Sequence, residues 1–145
     1  MGLRAGLTEI TSDVFDQVAE GREPDLASGK RHSIDKSWYD FHKVFERKAP
    51  PLNLTIAGDR LHPLSPHTIE EFCQGNHEYY IGFMSPDLVR AIADALLGLT
   101  LSELKQWYEE LGVAQYECAL SFFDELKAAY VESAKRGNAL MIVIA

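Results

Sequence analysis

Apolar residues in the second half of the chain recur at helical spacing, and strand-like runs flank them. Ser85 stands where an N-cap belongs, Pro86 takes the first helical position and Gly98 follows the last turn. Leu88, Ile92, Ala95 and Leu96 share one face between them. Thr100 and Glu103 fit a capping box that opens a second helix, stopped at Gly112. A longer helix is predicted over about residues 115–136, with Leu120, Phe123, Leu126 and Tyr130 on its buried stripe. Lys135 and Arg136 suit its negative end, and Gly137 can supply a left-handed cap. Residues 139–145 are apolar on both faces, so they predict an interior strand with neighbours on both sides.

The first half is less regular. Residues 3–10 read as a strand, Thr11-Ser12-Asp13 as a helix cap, and residues 13–20 as a short helix. Residues 21–33 carry Gly, Pro, Asp and Ser, which predicts a long exposed loop. A helix then starts near Ser33 or Asp35, because Ile34, Trp38, Phe41 and Phe45 form one stripe at i, i+4, i+7 and i+11. Lys43, Glu46 and Arg47 should face water, and Pro50-Pro51 ends the helix. Residues 52–58 fit a strand or one or two helical turns. A short helix is expected over residues 65–74, closed by Gly75-Asn76, and a strand over residues 78–84. The sum is an α+β (mixed α/β) domain spanning 1–145, about three to four strands packed by about five to six helices.

Composition narrows the class. At 145 residues with 46% hydrophobic and 25% charged positions, the chain can bury a sizeable core. No run is long and apolar enough for a membrane span, and the start lacks the features of a signal peptide or a full myristoylation motif. Cys73 and Cys118 are isolated, which predicts reduced thiols in a cytoplasmic protein. The net charge of −8 is uneven: residues 30–48 hold six bases against three acids, leaving eight bases and nineteen acids elsewhere. Such a chain is repelled by nucleic acid over most of its surface.

One resemblance emerges from motifs in a shared order. Ile34-Asp35-Lys36-x-Trp38-x-x-x-His42 resembles the signature segment of the YfbM-like proteins, a bacterial family of unknown function. Pro51-Leu52 through Ala57-Gly58, Tyr80 through Ser85-Pro86-Asp87-Leu88-Val89, and Phe123-x-x-Leu126-x-x-Tyr130 through Gly137-Asn138-Ala139 are similar to that family's later segments. Departures occur at Lys43-Val44-Phe45-Glu46 and at Tyr116-Glu117. The resemblance implies a fold and a bacterial cytoplasmic setting, and no reaction.

Candidate chemistry is sparse. Trp38 and His42, one helical turn apart, could line a polar pocket with Asp35, Lys36 and Tyr80, His42 carrying protons. Equally, Trp38 is core, His42 is satisfied by a backbone carbonyl and Asp35 is a cap. His62, His67, Cys73 and His77, with Glu70 and Glu71, are spaced too loosely for structural zinc, so no metal and no cofactor are expected. A Cys73/His77 dyad is interrupted by Gly75. Ser85 lacks a nucleophile-elbow context, the glycines form no phosphate loop, and Tyr79, Tyr80 and Phe83 fit strand packing. The expectation is a non-catalytic binding or interaction protein, taking a protein partner or a small ligand. One form is an immunity or antitoxin-like role against a basic toxin. The alternative is a small enzyme using His42 as acid/base beside Asp35 and Lys36. A monomer or weak homodimer is expected.

Overall fold

The computed structural model describes residues 3–20, 30–75, 78–113 and 115–145. Its centre is a pair of antiparallel strands, β1 (Ala5–Ile10) and β5 (Ala139–Ile144), registered so that Ala5 faces Ile144 and Ile10 faces Ala139. With β2 (Arg31–Asp35), β3 (Arg60–Leu61) and β4 (Tyr80–Met84) they make a five-stranded antiparallel sheet ordered β2-β1-β5-β4-β3. The C-terminal strand is thus interior, as its pattern requires. Leu140, Ile142 and Ile144 enter the main core, while Ala139 and Met141 join a smaller cluster with Ile10, Val18 and Phe83.

Two layers of helix account for those clusters. The smaller one is closed by α1 (Ser12–Ala19), started by the Thr11 hydroxyl accepting the Val14 N–H, with Val14 and Phe15 packed against it. The main core packs α2 (Trp38–Phe45), α4 (Pro86–Leu97), α5 (Leu101–Glu110) and α6 (Glu117–Lys135) with the sheet. The predicted starts of α4 and α5 are the observed ones: Ser85 caps Leu88, and Thr100 and Glu103 form a reciprocal capping box. The short α3 (Ile69–Cys73) has a second such box from Thr68 and Glu71. No helix among the described residues is long and apolar enough to cross a membrane.

Three expectations need correction. Residues 31–35 are a strand, so the expected loop does not reach Ser33 and α2 begins only at Trp38; the rest of that loop, residues 21–29, lies outside the described residues. Ile34 shares the core with Trp38, Phe41 and Phe45 from the strand side, which is why its spacing imitated a helix. Asp35 has a positive φ of 48° and ends β2, and Ser37 stands before α2 without a side-chain cap, so Asp35 is no helix cap. Residues 52–58, open between a strand and helical turns, take the helical form, a 3-10 turn over Leu52–Leu54 after a cis Pro50–Pro51 bond, while Arg60–Leu61 supply β3. With β2 and β3, the described residues hold five strands rather than three or four.

Candidate functional site

The residues of the Trp38 segment are placed separately. Trp38 is core, its indole N–H donating to the Leu3 carbonyl at 3.0 Å and its ring against Phe72. Asp35 pairs with Arg4, Nε to Oδ1 at 3.0 Å, and Lys36 is exposed. Lys43, Glu46 and Arg47 face water as expected. His42 is 7% exposed, its Nε2 3.2 Å from Glu46 and its Nδ1 without a hydrogen bond among the described residues. Burial lowers its pKa, against the pull of Glu46 and Glu70, so the neutral imidazole is favoured. Tyr80 is buried, donates to the Ala57 carbonyl at 2.6 Å, and lines a cleft of about 220 Å³ with Glu70 and Thr68. Neither this cleft nor the two cavities described below is lined by more than one of the five.

His42→Ala is expected to cost about 1 kcal/mol at neutral pH, near the value of one hydrogen bond. The sign of its pKa shift makes the gap from wild type narrow in acid, where the native protein must charge a buried ring and the variant need not. Urea unfolding at two pH values reads this.

The other candidate chemistry is also accounted for. The Ser85 hydroxyl donates to Asp59 at 2.5 Å while accepting the Leu88 N–H. Burial, then Glu46 and Glu70, push the Cys73 thiol up to about 11, far from a reactive thiolate. His62 is buried against Phe83 and its Nδ1 accepts the Leu64 N–H. His77 lies outside the described residues, and among those described no three His, Cys, Asp or Glu side chains gather to hold a metal ion.

The polar constellation that does form was not singled out from sequence. The register of β1 on β5 sets Glu9 opposite Leu140, beside the turn by which Arg136, Gly137 and Asn138 leave α6. Gly137 takes a φ of 69° there, the left-handed geometry that reverses the chain. Arg136 grips the Glu9 carboxylate through Nε at 2.7 Å and Nη2 at 2.6 Å, and Asn138 Nδ2 donates to it at 2.5 Å. Lys30, just before β2, donates to Glu132 Oε2 at 2.8 Å, and its carbonyl accepts the Glu9 N–H. His32 is 2% exposed beneath them, its Nδ1 2.9 Å from Glu125 and its Nε2 3.8 Å from Glu132. Together Glu9, Thr11, Lys30, Glu132, Lys135, Arg136 and Asn138 line a basin of about 500 Å³. Another cavity, about 240 Å³, lies over the sheet between Arg31, Thr8 and Met141.

Glu9 is only 7% exposed yet ionised. The Arg136 hydrogen bonds lower its pKa to about 2, overcoming the opposing effect of burial, with help from Asn138. An unfolded glutamate titrates near ~4.3, so the stabilisation is complete above about pH 5 and is lost as the pH falls toward the folded value. Because Arg136 is half exposed, water screens the pair, and about 2 kcal/mol is the expected contribution. Glu9→Gln should therefore lose about 2 kcal/mol at pH 7 and only a small part of that near pH ~2, measured by urea unfolding.

Comparison with known proteins agrees with this architecture. No curated protein matches the chain. The solved structure of YfbM from Escherichia coli, a protein of unknown function, is similar with a TM-score of 0.65 at 18% identity, covering 98% of this chain and 99% of that one. At that identity the likeness speaks for the fold alone. The sequence model of the family described as "Domain of unknown function (DUF1877)" matches residues 4–143. That span takes in every motif on which the resemblance to YfbM-like proteins rests, from Ile34 to Ala139, and the chain belongs to this family.

Proposed function

We propose that the chain is a non-catalytic binding protein and that its ligand sits in the basin between the ends of β1, β2 and α6. The observation that carries this reading is the buried, ionised Glu9. An isolated buried carboxylate is costly, and this one is offset by hydrogen bonds from Arg136 and Asn138. The arrangement holds a guanidinium still at the rim of a cavity whose volume, about 500 Å³, falls within the usual span of small-molecule sites. Preorganised recognition groups of this kind favour binding without further ordering cost.

The non-catalytic half of the reading rests on how those groups are occupied. Glu9 is committed to Arg136, Lys30 to Glu132, and Thr11 to the start of α1. Acid/base catalysis needs a proton carrier in reach of the substrate, and the imidazole beside Glu132, that of His32, is buried. A thermal-shift screen of water-soluble metabolites tests the proposal. The expected result is a compound that raises the unfolding temperature of the native protein, raises that of Lys135→Ala less, and is recovered with its mass unchanged. A hit indifferent to Lys135→Ala would move the site elsewhere, and a changed mass would make the protein an enzyme.

A further inference from the structure

Resting on that reading, we infer that the basin's ligand presents an oxyanion, a carboxylate or a phosphate, to Arg136, Lys135 and Lys30. Glu9 occupies Nε and Nη2 of Arg136, which leaves Nη1 without a partner among the described residues, on a side chain half exposed at the basin. A guanidinium held on one edge by a carboxylate offers its remaining donors in a fixed direction, the geometry suited to paired oxygens of a carboxylate or a phosphate. Lys135 lines the same basin and forms no ion pair among the described residues.

Charge decides between anion and cation. Three cations, Lys30, Lys135 and Arg136, meet two carboxylates, Glu9 and Glu132, which leaves one positive charge in excess. The C-terminal end of α6 takes back roughly half a charge through its unpaired carbonyls. The balance stays positive, in a chain whose overall charge is −8. Glu132 is the competitor inside the site, since it holds Lys30 at 2.8 Å and lies 3.9 Å from Arg136. An incoming oxyanion contests Lys30 with Glu132, so removing that carboxylate helps the ligand, whereas removing Lys135 harms it.

The test is amide NMR of the full chain titrated separately with sodium phosphate and sodium acetate, against sodium chloride at matched ionic strength. Saturable shifts centred on Thr11, Lys30 and Asn138 are expected with at least one anion. Phosphate alone identifies a phosphoryl ligand, acetate alone a carboxylate. Lys135→Gln should weaken the fitted Kd about three- to fivefold and Glu132→Gln should tighten it by a similar factor, the scale of one partly exposed charge pair. Shifts no larger than those with chloride, or variants that fail to move in opposite directions, overturn the inference. If a cationic or neutral metabolite passes the thermal-shift test while both anions fail here, the oxyanion assignment falls and the binding role stands.

Discussion

Replacing Trp38 by alanine is expected to destabilise the fold by about 3–5 kcal/mol, the cost of deleting a large buried ring that its surroundings cannot refill. The indole touches three parts of the structure at once. Its ring lies 5.6 Å from Phe72 on α3 and at the same distance from Tyr39 of its own helix. Its N–H satisfies the Leu3 carbonyl, just before β1. Alanine leaves a void between α2 and α3 and strips that carbonyl of its partner, two losses that add. Urea unfolding should show a lower midpoint with an unchanged slope. Trp38→Phe, which keeps much of the ring, should recover most of the loss. A midpoint close to wild type for the alanine variant would mean that α2 is not anchored through this side chain.

Gly58→Ala should cost about 2–4 kcal/mol, from left-handed strain together with overpacking. Gly58 has a φ of 74°, and an added Cβ would stand 2.2 Å from the Phe83 carbonyl oxygen. That oxygen accepts the Asp59 N–H, so the methyl group must push apart the backbone contact that leads into β3. A backbone carbonyl in a sheet yields far less readily than a side-chain tip. Hydrogen exchange should show faster opening at Asp59 and Leu61 in the variant, with the Leu140 and Ile142 amides less affected. Equal loss of protection throughout would point to global unfolding and a larger cost.

How much of this was legible from residues differs sharply along the chain. The starts of α4 and α5 were readable because a cap is a local event: Ser85 and Thr100 bond within their own first turns. The interior place of β5 followed from its two apolar faces, since each needs its own cluster to bury it. β2 was hidden because its inward residues are only His32 and Ile34, and the second falls in step with the stripe of α2. Its partner, β1, is distant in the chain, and a short edge strand carries little pattern of its own. The basin was invisible for a related reason. Glu9 and Arg136 are 127 residues apart, and their meeting depends on the register of β1 against β5. Lys135 and Arg136 already had a sufficient local explanation at the end of a helix. Given the pairing of β1 with β5, the Glu9 carboxylate beside the Arg136–Asn138 turn would have been deducible; the Trp38–His42 spacing marks the buried face of α2.

The strand order has a consequence for how the sheet comes together. β2-β1 and β4-β3 are hairpin-like halves that meet within the sheet only through β5, the last strand of the five along the chain. Neither half can finish its ladder until β5 is present to join them. Closing β1 onto β5 brings together residues well over a hundred positions apart, which is slow in barrier terms although each doubling of loop length adds only about 0.6 kcal/mol. During synthesis, β1 and β4 must therefore wait with one unpaired edge each until residues 139–144 emerge. That waiting interval is when the chain is most exposed to strand-to-strand association with another copy.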